Sequence, residues 1–228
     1  MRLSEADRDR IEAAVIAAEA RTAGELFCIV TGQASDYRDV RLAWASALAL
    51  GVPALLAFAF AFTPWTGWMD GGWSVAHIAA TETAAKGAVA AYALAQAAIF
   101  ALVWLVLTHP AARRWAAPPA YRRAKLHREA MRQFLAKGLH LTEGRTGVLI
   151  IAALDDHAAE IVADEAIHAK VGTEAWADAL EALRGHMRAG RPADGFIAAV
   201  EACGALLAEH FPPTGANPDE LPNRLVEI

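Results

Sequence analysis

The chain has 228 residues, 56% of them hydrophobic and 21% charged, and a formal net charge of −5. It is too apolar for a disordered chain, has no glycine period for a collagen, and its two cysteines are too few for a disulfide scaffold. Alanine fills 56 positions. It favours helix but buries little area, and the charge is unevenly spread, so the average conceals distinct regions.

Ser4, with Asp7 three residues on, reads as the N-cap and near-capping box of a first helix, with Ile11 and Val15 on its apolar stripe. Gly24 breaks that helix, and residues 26–31 (LFCIVT) read as a β-strand. From Ser35 to Trp44 the pattern returns to helix. Two uncharged windows follow, 28 residues between Arg41 and Asp70 and 26 between Lys86 and Arg113. Their cores, 42–62 and 87–107, have the roughly 20 residues that a helix needs to cross a bilayer. The second has no polar face, unlike a soluble helix of that length.

The flanks fit membrane interfaces. Trp44 and Trp115 stand beside Arg41, Arg113 and Arg114, while Trp65, Trp68 and Trp73 cluster beyond the far end of the first span. Arg38 and Arg41 precede the first span, and Arg113, Arg114, Arg122, Arg123 and Lys125 follow the second; the loop 63–86 holds Lys86 as its cation. The positive-inside rule then expects both termini in the cytoplasm and the loop outside. The charged first twenty residues do not read as a cleavable signal peptide. Neither span carries an ionisable group, Ser46, Tyr92 and Gln96 being the notable polar positions. This argues for an anchor over a proton or ion pathway, with oligomers or a pore through the Ala-rich spans as a further possibility.

Pro118 and Pro119 mark a boundary, after which 121–139 reads as a helix. Residues 147–154 form an unbroken apolar run, expected to be a strand covered on both faces. The turn LDDH leads into a third strand at 159–163, completing a hairpin. Two helices follow: 173–189, N-capped by Thr173 with Trp176, Leu180 and Leu183 on one side, and a last one opened by Pro192 and running to about 210. The tail PPTGANPDELPNRLVEI reads as extended, with a terminal strand at 225–228. The expected divisions are 1–41, 42–112, 113–211 and 212–228. Residues 113–145 carry a net +7 and residues 146–228 a net −9. The basic juxtamembrane helix fits an anionic lipid surface, at about 1 kcal/mol per cation; no recognition motif accompanies it that would point to nucleic acid.

No phosphate or dinucleotide glycine motif is present, and neither Cys28 nor Cys203 is followed six residues later by Arg, as a cysteine-phosphatase loop requires. Both cysteines are expected as buried free thiols. Asp7 and Asp9 lie on a helix surface. His157 and His168 could approach each other across the third strand. Asp155 and Asp156 read as hairpin-turn residues or as oxygen ligands.

The order helix, strand, helix, then TGVLIIAALDD (146–156), a short strand and two Ala/Leu-rich helices resembles the TPM-domain family over about 3–31 and 124–212. The tail NPDELPNRLVEI resembles a bacterial branch with two membrane helices. The resemblance implies an α/β fold, a small mixed sheet flanked by helices and interrupted by an inserted two-helix transmembrane hairpin. Some relatives bind calcium, and weak acid phosphatase activity is associated with others. Carried over residue by residue, Asp155 and Asp156 match the acidic turn after the central strand. The family's Gly-Tyr-Gly-x-Glu element falls on Asp164, Glu165, Ala166, Ile167 and His168, and its Leu-Pro-Asp element on Val171, Gly172 and Thr173. Asp155, Asp156, Asp164 and Glu165 are then the candidate calcium ligands, of the six to eight oxygens calcium usually takes; no other cofactor is implied. The expected role is a non-enzymatic accessory module of a bacterial inner membrane that binds a partner protein. The alternative is a metal-dependent phosphatase-like hydrolase using Asp155 and Asp156.

Overall fold

The computed structural model describes residues 3–61, 75–142, 144–213 and 221–228. In chain order the helices are α1 (Glu5–Glu19), α2 (Arg38–Ala61), α3 (Val75–Val106), α4 (Pro110–Ala116), α5 (Pro119–Ala136), α6 (Glu165–Lys170), α7 (Ala177–Arg188) and α8 (Pro192–His210). The strands are β1 (Glu25–Thr31), β2 (Gly147–Ala153), β3 (Ala158–Ala163) and β4 (Val226–Glu227). The chain divides into two compact units, Met1–Asp36 with Pro118–Ile228, and Tyr37–Ala117.

The first unit is a mixed sheet of strand order β3-β2-β1-β4 with helices on both faces. β1 and β2 run parallel, in register from Glu25↔Gly147 to Thr31↔Ala153, and β3 returns antiparallel to β2. A parallel pair needs a long crossover, and here the crossover contains the whole second unit as well as α5. Every residue of β1 and of β2 is buried, which accounts for the apolar runs Leu26 to Val30 and Gly147 to Ala153; Glu25 and Thr31, at the ends of β1, are its buried polar residues. Leu26, Cys28, Val30, Val148, Ile150 and Ala152 face the layer of α1, α7 and α8. Phe27, Ile29, Leu149, Ile151 and Ala153 face Leu126, Ala130 and Phe134 of α5. Burying each such Leu, Ile or Phe contributes roughly 1.5–3 kcal/mol. β4 extends the sheet parallel to β1, where Ile228 N donates to Val30 O and Arg8 pairs with Glu227.

Local signals explain most boundaries. Ser4 Oγ accepts from Asp7 N at 3.1 Å, and Ser4 N donates to the Asp7 carboxylate at 3.3 Å, completing the capping box that opens α1. Asp7 is accordingly held below the ordinary carboxylate range, chiefly by the Ser4 hydroxyl. Gly204 lets α8 lie against α1, because a Cβ there would sit 2.7 Å from Ala18 Cβ. Gly147 is needed for the same kind of reason, since a Cβ would come 2.5 Å from the Leu139 carbonyl oxygen.

Several boundaries differ from the sequence reading. α5 ends at Ala136, earlier than expected, because Gly138 at φ 74 takes the left-handed conformation that stops a helix. Thr173 is not an N-cap: a 3₁₀ turn (Thr173–Trp176) preceded by Gly172 leads into α7. The short helices α4 and α6 were not anticipated. α3 begins at Val75, so it takes up part of the segment 63–86 expected as a loop.

The second unit is a pair of long apolar helices, α2 and α3, packed along each other, followed by α4. The buried positions of α2, Ala45, Ala49 and Pro53, recur every four residues, a small-residue spacing that permits close helix approach. The stretches Arg38–Ala59 and Thr83–Val106 are long and apolar enough to cross a membrane. Large side chains on them face outward, with Leu55 69% and Leu94 71% exposed, so the described parts of these helices are not buried within this chain as core helices are. At the end of the pair where α4 begins, Trp44 Nε1 donates to Ala116 O at 3.1 Å and its ring lies 6.4 Å from that of Trp115. Arg113, expected at the surface, is 7% exposed, its guanidinium 5.2 Å over the Tyr37 ring. Arg114 of α4 is half-buried. Trp65, Trp68 and Trp73 lie outside the described residues.

Candidate functional site

Because β1 and β2 are parallel and in register, the segments that follow them emerge side by side at the carboxyl end of the sheet, where open α/β sheets hold ligands. Backbone bonds join them: Leu154 N donates to Thr31 O at 2.9 Å and Asp155 N to Gly32 O at 2.8 Å. The four residues Leu154–His157 close the β2–β3 hairpin beyond the last pair, Ala153↔Ala158. His157 takes a left-handed φ of 48°, which turns the chain into β3.

The two aspartates of this turn have different environments. Asp156 is buried, 1% exposed, and its Oδ2 accepts from Ala34 N at 2.8 Å. Its carboxylate therefore staples the segment after β1 to the turn after β2. Its own carbonyl accepts from Arg122 Nη1 at 2.7 Å, which fixes the start of α5 to the same turn. Asp155 is half-exposed beside Gly32.

The other two candidate ligands stand elsewhere. Asp164 N donates to Gly147 O, which places it beside the first residue of β2, and its Oδ1 accepts from Glu165 N as the cap of α6. Glu165 is exposed and pairs with Arg145 at 3.3 Å. One strand length, about 20 Å at 3.3 Å per residue, therefore separates Asp155 and Asp156 from Asp164 and Glu165. Among the described residues no three His, Cys, Asp or Glu side chains are grouped to hold a metal ion. His157 and His168 likewise fall beyond opposite ends of β3, and His127 pairs with Glu160 at 3.1 Å.

Two clefts adjoin the turn. One, of about 610 Å³, lies between residues 31–36 and the α5 side chains Glu129, Arg132 and Gln133. The other, of about 160 Å³, brings Arg122 and Arg123 of α5 together with Arg184 and Arg188 of α7 around His157 and Ala158. Arg122 and Arg123 were marked in the sequence as basic and assigned to the membrane surface; Lys125, of the same group, has its Nζ 5.3 Å over the Tyr121 ring. Arg184 and Arg188 were missed, being two cations within a segment of net −9. Their four-residue spacing on a helix was the available signal. Both cysteines are buried free thiols, Cys203 pushed up to about 12 by burial and Cys28 raised further by burial and by Cys203 nearby.

Comparison with known proteins agrees with this architecture. A family model described as the TPM domain matches residues 120–206, which include α5, the β2–β3 hairpin, α7 and most of α8. The NMR structure of BA42, a protein from the psychrophilic bacterium Bizionia argentinensis, shares the fold at a TM-score of 0.57 and 17% identity. That alignment covers 100% of this chain and 97% of the other. No curated protein matches the chain significantly. The family match thus lies on the sheet and helices just described, and residues 120–206 of the chain are similar to the TPM domain.

Proposed function

We propose that this chain is an integral protein of a bacterial cytoplasmic membrane, anchored by the α2–α3 pair, whose TPM domain is a non-enzymatic module that binds a partner protein. In this reading the domain and both termini are cytoplasmic and 63–86 lies on the opposite side, which the basic residues flanking the spans support through the positive-inside rule. The observation that carries the non-enzymatic part is the position of Asp156. A buried carboxylate already bonded to the Ala34 amide is a structural acceptor, and Asp164 and Glu165 lie a strand length away from it. What remains at the turn is Asp155, short of the ligand set that calcium or a metal-dependent hydrolase needs.

Purified full-length protein assayed with calcium or magnesium and a generic phosphomonoester should show no turnover above background. Turnover abolished by Asp155→Ala would instead establish the hydrolase reading, which the half-exposed position of Asp155 at the carboxyl end of the sheet favours. Reporters at 71–72 and at the C-terminus should behave as periplasmic and cytoplasmic respectively; the reverse pattern refutes the orientation.

A further inference from the structure

The cleft at the start of β3 combines groups from both faces of the sheet. α5 lies on one face and α7 on the other, and each sends two arginines around the edge strand. Two of the four are held by backbone: Arg122 Nη1 on Asp156 O at 2.7 Å and Arg184 Nη2 on Ala159 O at 2.9 Å. Arg122 also keeps a buried Nε without a hydrogen-bond partner. Arg188 pairs with Glu181, and Arg123 makes no hydrogen bond or ion pair among the described residues. The start of α5, with no side-chain cap on Pro118, adds its positive dipole end where Pro119 lines the cleft.

The neighbouring carboxylates offset this group only in part. Asp156 is turned to the Ala34 amide, Glu160 is shared with His127, and Glu181 sits on the outer arginine, Arg188. Partial burial, and then the charge of Arg123, hold the Arg184 guanidinium below its ordinary range even with Glu160 and Glu181 opposing the shift. Like charges gathered in this way are relieved by an anion. A volume of about 160 Å³ is well under that of a drug-sized pocket, roughly 300–1,000 Å³, and suits a single anionic group. Guanidinium forks matched to tetrahedral oxygens favour phosphate.

We propose that the cleft formed by Arg122, Arg123, Arg184 and Arg188 binds the phosphoryl group of a phosphate monoester, either free or as a lipid headgroup. The site stands independently of the reading of the aspartates and of the membrane orientation.

The test uses the full chain in phosphatidylcholine nanodiscs, titrated calorimetrically with glycerol 3-phosphate at fixed ionic strength. Arg123→Gln and Arg188→Gln should each weaken binding about tenfold, the scale of one lost charge-assisted hydrogen bond. Arg128→Gln, on the same helix but outside the cleft, should leave it unchanged. Because the Arg123 side chain has no partner of its own, its variant should keep the wild-type thermal profile, which separates lost binding from lost folding. Equal weakening by Arg128→Gln, or no heat beyond that of a matched chloride control, overturns the site. In nanodiscs containing phosphatidic acid, a several-fold fall in apparent affinity for the soluble ester, absent in Arg123→Gln, supports the site and makes the lipid headgroup its source. Unchanged affinity in those discs supports the site with the free ester as its source.

Discussion

Replacing Asp156 by alanine removes the acceptor of the Ala34 amide from a position that is 1% exposed. The amide then has no partner and water has little access, so the cost is that of an unsatisfied buried donor, about 1–3 kcal/mol. The Arg122 bond is to the Asp156 carbonyl and survives the change. Asp156→Asn keeps an oxygen in the same place and should recover most of the loss. Two measurements read the effect in detergent-solubilised protein. Thermal unfolding should fall by about 2–4 °C for each kcal/mol in a chain of this size. Amide exchange at Ala34 should accelerate, by about thirtyfold for a 2 kcal/mol loss. An alanine variant with wild-type melting and unchanged Ala34 exchange would refute the structural role of this carboxylate, and with it the main support for a non-catalytic turn.

Other outcomes follow from the same geometry. Leu94→Arg puts a charge midway along the outward face of α3 at a cost of about 2.5–3.5 kcal/mol in a bilayer; alkaline extraction should release more of the variant, and wild-type retention would count against the span. Gly204→Ala forces a Cβ to within 2.7 Å of Ala18 and should destabilise by about 1–3 kcal/mol, whereas Gly51→Ala, with nothing within 4 Å, should not. Thermal melts of the two variants decide this. Cys28 and Cys203 have raised pKa values in the folded state, Cys203 up to about 12, while unfolded thiols ionise near about 8.5. Their contribution to stability is complete below the unfolded value and declines as pH rises past it. A thiol reagent at pH 8 should label neither cysteine until denaturant is added; rapid labelling of native protein would show that the α8 layer does not cover them.

The strands could be read directly from their composition, because β2 is apolar at every position and β1 from Leu26 to Val30, and an apolar run of that kind needs cover on both faces. The two long apolar helices were legible for a similar reason, their lack of charge. Boundaries were harder. α6 went unread because its six residues are too few to display a period, and its start depends on the Asp164 side chain capping the Glu165 amide. The 3₁₀ turn before α7 lay hidden within what reads as one continuous helix.

The candidate site divides along the same line. Asp155 and Asp156 can be picked out from the chain as an acidic turn, and Arg122 and Arg123 as part of a basic helix, since each depends on residues close in sequence. Composition and spacing thus settle the type of the longer elements, the apolar spans and the charge of each segment, all of them local or additive properties. Register, topology and packing settle the rest. They put Asp164 and Glu165 at the far end of the hairpin from Asp155 and Asp156, turn Asp156 inward to Ala34, and bring Arg184 and Arg188 to Arg122 and Arg123 across some sixty residues of chain. Those placements come from pairing β1 with β2 around an inserted unit of Tyr37–Ala117, a long-range contact that no local pattern encodes.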